Sequence, residues 1–180
     1  MRRLFLLASL LTVYSCNNSK LSGSETSIFH DFDFSYDSGW QTSYSLKFTN
    51  NNVIFLGNGR RNKSYSIGYI NSLQRQKLDS FLIAFSKQKW ETAYAEDNRV
   101  DHHSYQFYLK TDTSINKVFV YGDIAPKELQ AFNTWLTDLK EMINFHPIDT
   151  MVKFGSTENF YPPVISAPVK LPSSKNNNSR

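Results

Sequence analysis

The sequence predicts one small α+β domain: a mainly antiparallel sheet with two helices packed on one of its faces. Three observations lead there. Six short stretches read as strands, most of them by alternation of apolar and polar residues at period 2. Two longer stretches repeat their apolar residues at helical spacing. The order along the chain, β-β-β-β-α-β-β-α, sets strands in series with few helices between them, which favours antiparallel neighbours over βαβ crossovers.

The first strand carries Phe32, Phe34 and Tyr36 on one side and Asp31, Asp33 and Ser35 on the other. Asp37-Ser38-Gly39 then signals a turn. Tyr44, Leu46 and Phe48 alternate with Ser45, Lys47 and Thr49, and Asn50-Asn51-Asn52 connects them to a strand over Val53 to Leu56. Asparagine tolerates positive φ, so this pair reads as a hairpin. Gly57-Asn58-Gly59 opens another turn, and Tyr65, Ile67 and Tyr69 make the fourth strand. The period then changes. Asn71 or Ser72 caps a helix, with Gln74 placed for a capping box, and Leu78, Phe81, Leu82 and Phe85 fall on one helical face. Residues 91–103 are polar and irregular. Tyr105, Phe107 and Leu109 alternate again, and Val118 to Tyr121 is β-branched and aromatic. Pro126 opens the second helix, whose stripe is Leu129, Phe132, Leu136, Leu139 and Ile143. Asn144 and Pro147 stop it. The polar partners along the strands, Ser45, Lys47 and Thr49 among them, make the other sheet face partly polar.

The flanks have a different character. Met1-Arg2-Arg3 is a positive start, Leu4 to Val13 carries no charge, and Val13-Tyr14-Ser15-Cys16 follows. The apolar run is shorter than the ~20 residues that span a bilayer and has the length of a signal-peptide core. An aliphatic residue three positions before cysteine and a small one directly before it form a lipobox-like site. Tyr14, where a small residue is usual, is similar to the looser sites of Bacteroidota-type lipoproteins. The resemblance implies cleavage before Cys16 and acylation of its thiol, each buried methylene of an acyl chain adding ~0.8 kcal/mol of membrane affinity. Cys16 is the only cysteine, so no disulfide is available to the domain. The expected organisation is a leader over residues 1–15, an acylated cysteine and flexible tether over 16–27, the α+β domain over 28–150, and a Pro/Asn/Ser-rich tail over 151–180, extended or disordered. Asn17 is not the aspartate associated with inner-membrane retention, and Asn18-Ser19-Lys20 lacks the acidic run associated with surface export. By the same resemblance the expected location is the outer membrane, facing the periplasm.

The formal net charge of +4 falls to +2 when Arg2 and Arg3 leave with the leader. Nucleic-acid binding needs a clustered basic face, and none is evident. Arg60-Arg61-Lys63 lies in a turn and reads as a solvated loop. Gly57 to Ser64 approaches a P-loop, but Asn62 replaces its second glycine and a strand follows where a helix must begin. Asp101, His102 and His103 are weak metal candidates, since neighbouring residues diverge. His30 is expected opposite Asp31 and Asp33, so that trio does not chelate together. No nucleophile-elbow, zincin or Ser-x-x-Lys motif is present, and no cofactor is expected. Most aromatics sit at core-facing periodic positions. Trp40 and Trp90 flank turns or helix ends instead and are the candidate ligand-facing residues, for a sugar or a peptide.

Tyr94, Asp101, Tyr121-Gly122-Asp123-Ile124-Ala125-Pro126 and the Leu-rich stretch from Leu129 to Leu139 resemble a family of uncharacterised domains common in Bacteroidota lipoproteins. That family carries a Cys-x-x-x-Cys-Pro motif near its first strand, and this chain has none, so no redox or metal role carries over. The combined expectation is a membrane-anchored envelope lipoprotein with a non-catalytic binding domain, its partner an envelope protein, peptide or glycan. The alternative is an inhibitor or immunity-type protein covering an enzyme; a hydrolase or metal-binding protein ranks below both.

Overall fold

Asp31–Asp37 (β1), Ser43–Phe48 (β2), Val53–Asn58 (β3) and Ser64–Tyr69 (β4) form an antiparallel meander. The structure, a computed structural model, describes residues 29–40, 42–60, 63–96, 102–158 and 160. The remaining elements in chain order are α1 (Ser72–Lys87), β5 (Ala93–Ala95), β6 (Ser104–Lys110), β7 (Ile115–Tyr121), α2 (Lys127–Met142), β8 (His146–Ile148) and a 3-10 turn over Gly155–Thr157. One eight-stranded sheet results, in the order β5-β7-β6-β1-β2-β3-β4-β8. Only the β5–β7 pair is parallel. The protein is an α+β domain, as its strand-rich order requires.

Register places the aromatic positions together. Phe32 stands opposite Phe48 and Leu109, and Phe34 opposite Leu46 and Phe107. Both helices cover this face. Phe132 of α2 stacks on Phe32 at 5.3 Å between ring centroids and on Phe107 at 5.1 Å. Phe85 of α1 meets Phe107 at 5.6 Å, and Phe81 joins the two helices through a stack on Phe132 at 4.6 Å. Such ring pairs add ~0.5–1.5 kcal/mol each beyond their buried area. The capping box at the start of α1 forms as the sequence suggests, with Asn71 accepting from the Gln74 N–H and Gln74 accepting from the Asn71 N–H.

Two strands escape the period-2 signal. β5 lies inside the stretch that reads as polar and irregular, and β8 lies where the chain reads as a helix stop. Three residues are too few to show alternation. Pro147 is accommodated because β8 is an edge strand, where a missing N–H breaks no ladder.

The domain also runs past residue 150. Phe154 and Ser156 are buried, and the chain around them crosses the sheet face opposite the helices. Gly155 donates its N–H to Asp33, Ser156 Oγ lies 2.7 Å from Ser35 Oγ, and Gln106 Nε2 donates to the Ser156 carbonyl at 2.7 Å. The tail expected to be extended or disordered from residue 151 is thus a docked strap through Glu158, because the polar sheet face offers it matching donors and acceptors. Phe160 meets Phe119 of β7 at 6.3 Å. Residues 161–180 lie outside the described residues.

Candidate functional site

An antiparallel meander sends alternate turns to the same end of its sheet. The β1–β2 turn and the β3–β4 turn therefore share one end, while Phe29, where the described chain enters, lies at the other. At the shared end the two turns are tied together. Asp37 accepts the Gly39 N–H at 2.7 Å, and Gly39 takes φ 85°, open to glycine at no steric cost. Arg60 Nε donates to Asp37 at 3.0 Å and Arg60 Nη2 donates to the Gly39 carbonyl at 2.7 Å. The Ser38 N–H donates to the Thr42 carbonyl at 2.8 Å, and the Gly59 N–H to the Ser43 carbonyl at 2.7 Å. Trp40 stands on this frame with 74% of its surface exposed. Beside it is a hollow of about 140 Å³ lined by Asp37, Trp40, Thr42, Ser43, Gly59 and Arg60.

The other aromatic candidate sits differently. Trp90 is half-buried, stacks on Phe85 at 5.7 Å and donates its indole N–H to the Phe85 carbonyl at 2.9 Å. It closes the C-terminal end of α1 against the core, so its ring and its one donor are both engaged. Of the two tryptophans, only Trp40 presents its face to solvent.

His102 and His103 do not converge on a common point. His103 lies between Tyr36 and Tyr105, 6.0 Å from each ring, with Nε2 3.6 Å from Asp123. His102 packs edge-on to Tyr121 at 6.3 Å. Asp101 lies outside the described residues, and among the described residues no group of three or more His, Cys, Asp or Glu side chains is placed to hold a metal. His30 pairs with Asp112, away from Asp31 and Asp33, which both meet Lys47. Gly57 pairs within β3, and β4 rather than a helix follows Lys63, so no phosphate loop forms. Cys16 and its lipobox-like site lie outside the described residues. Among the described residues no helix is long and apolar enough to cross a membrane.

Under the strap lies the most perturbed ionisable group. Asp33 is wholly buried. Burial raises its pKa from 3.8 to about 6, although Lys47 and the Gly155 N–H both favour the carboxylate. On Lys47, burial disfavours the ammonium, but Asp33 and Asp31 outweigh it and hold its pKa above the ordinary lysine value. The contact moves Lys47 further toward charge than it moves Asp33, because Lys47 keeps partial access to water. Ser35, Ser45, Ser156 and Gln106 complete a buried polar cluster whose hydrogen bonds all run within the sheet or to the strap. The strap covers this cluster, so it serves docking of the C-terminal segment and offers no open cleft.

Sequence reading identified Trp40 by its position off the core pattern. It did not pair Asp37 with Arg60. The signal was available in the meander, since equal strand lengths bring a turn containing Asp-Ser-Gly beside one containing Gly-Asn-Gly-Arg. Searches of protein-family models and of curated proteins find no match to this chain.

Proposed function

We propose that this chain is an envelope lipoprotein, held in the outer membrane by acyl chains on Cys16 and facing the periplasm, whose α+β domain binds a ligand rather than transforming it. One observation carries the binding part of this reading. Trp40 is 74% exposed on a turn braced by Asp37 and Arg60. A large indole left in water costs solvation free energy, and fixing it on a hydrogen-bonded frame removes the freedom that would let it fold back onto the surface. Rigid exposed tryptophan is the residue type that anchors binding surfaces. The end of the sheet that carries it is opposite the end where the chain from Cys16 enters, so a tethered domain would present Trp40 away from its anchor.

Two experiments test the halves of this reading. A Cys16→Ser variant is expected to leave the membrane fraction, and retention there would refute the acyl anchor. A photoreactive amino acid at position 40 is expected to capture a discrete adduct in the native envelope. Labelling no more discrete than from the same group at Lys87, on the exposed side of α1, would refute binding at this end. Capture of a single enzyme that is silenced in the adduct would favour the inhibitor alternative.

A further inference from the structure

We infer that the hollow beside Trp40 is a glycan subsite that takes one neutral sugar ring of a longer chain. This deepens the binding function proposed above and rests on it. The inference comes from the chemistry of the walls. The hollow has one flat apolar wall, the Trp40 indole, and its other walls are polar: Asp37, Thr42, Ser43, Gly59 and Arg60. A pyranose has the same division, with C–H bonds on its faces and hydroxyls around its edge. Its face stacks on an indole, and its edge exchanges hydrogen bonds with carboxylate, guanidinium and hydroxyl groups.

Charge decides between ligand classes. Arg60 donates to Asp37 through Nε at 3.0 Å and through Nη2 at 3.4 Å, so the two charges offset each other inside the site. An anion would meet the Asp37 carboxylate, and a cation would meet the Arg60 guanidinium. A neutral polar ligand meets neither penalty. An aliphatic or aromatic peptide side chain would want an apolar floor, and only one wall here is apolar. The volume, about 140 Å³, and the position at an exposed sheet end fit a single ring with its chain continuing into solvent.

The frame also favours a sugar over a deformable partner. The Ser38–Thr42 and Gly59–Ser43 backbone bonds fix both turns, and the Arg60 bond to the Gly39 carbonyl holds one turn to the other. The donors and acceptors are thereby set before a ligand arrives, which lowers the ordering cost that weak single-ring sites can least absorb.

The test uses the purified full chain in detergent micelles, with chitotetraose, cellotetraose and mannotetraose as probes, read by ligand-detected NMR and by titration calorimetry. At least one of the three is expected to bind. Trp40→Ala should weaken that binding at least tenfold while the thermal unfolding midpoint stays unchanged, and Trp40→Phe should keep part of it. No binding by any of the three at about 10 mM would overturn the glycan assignment, as would binding that Trp40→Ala leaves intact. The two readings fail separately. A discrete protein adduct from position 40 with no oligosaccharide bound would remove the glycan and leave the binding domain. Shortening of a bound oligosaccharide would keep the glycan and remove the non-catalytic reading.

Discussion

Asp33 concentrates the pH dependence of this fold, and replacing it by Asn isolates the effect. Its carboxyl is wholly buried beneath the strap, and its pKa stands at about 6 against 3.8 for the free side chain. The folded-state value lies above the unfolded one. Between about pH 4 and pH 6 the native state therefore holds a proton that the unfolded chain has released. Stability contributed by this group is greatest below that window, falls as the pH rises through it, and levels off above. At 1.36 kcal/mol per pKa unit the total change is about 3 kcal/mol. Asp33→Asn keeps the shape of the protonated carboxyl, keeps an oxygen to accept the Gly155 N–H, and has no proton to lose. Lys47 retains Asp31 at 3.2 Å.

The assay is urea unfolding of the wild type and the Asp33→Asn variant at several pH values from 4 to 7.5, followed by tryptophan fluorescence. Every other carboxylate titrates alike in both proteins, so the difference between the two curves belongs to position 33. The variant should gain about 3 kcal/mol on the wild type between pH 4 and pH 7.5, whatever its offset at pH 4. A constant difference across that range would refute the reasoning. A difference of the opposite sign would show that Lys47 overcomes burial and holds Asp33 ionised.

Two further substitutions probe the strap and the first helix. Gly155→Ala places a Cβ 2.7–2.8 Å from carbons of the Tyr108 ring, a clash with a ring rather than a flexible chain end. Overpacking of this kind costs ~1–3 kcal/mol, and the strap should loosen first, seen as faster tryptic cleavage at the exposed Lys153 together with a lower urea midpoint. Asn71→Ala removes both hydrogen bonds of the capping box and should destabilise the domain by ~1 kcal/mol, measured by thermal unfolding.

Much of the fold was legible because its core is built from aromatic residues at regular period. Phe32, Phe34, Tyr44, Leu46, Tyr105 and Phe107 announce both the strands and the side they bury. The helices were legible from Leu78, Leu82, Phe85, Leu129, Phe132 and Leu136 for the same reason. The second sheet face was not. Asp33, Ser35, Ser45 and Gln106 read as solvent-facing residues, and all four are buried. Local pattern carries no information on a cover that arrives more than a hundred residues later from a Ser- and Pro-rich segment. Arg75 poses the same difficulty within α1. It is buried because its guanidinium reaches Asp79 at 2.9 Å and the Thr49 carbonyl at 3.0 Å, and lies 5.2 Å over the Phe29 ring. Trp40 was legible as an outlier from the core pattern, whereas its partners Asp37 and Arg60 needed the pairing of two turns.

The polar character of the buried face has a physical use that an apolar one would lack. A strap held only by Phe154 in a greasy surface could shift along the sheet at little cost, since apolar contact has no direction. Here the ties run to backbone groups at fixed positions: the Gly155 N–H to Asp33, and the Ser156 and Glu158 carbonyls to Gln106. A slip of one residue would bring Phe154 or Ser156 against the Tyr108 ring, where even the Cβ of alanine does not fit. It would also leave Asp33 buried without its N–H donor, a loss of ~1–3 kcal/mol for an unsatisfied group and more while it is charged. The cluster therefore sets the register of the strap, and the raised pKa of Asp33 follows from setting it with a buried carboxylate.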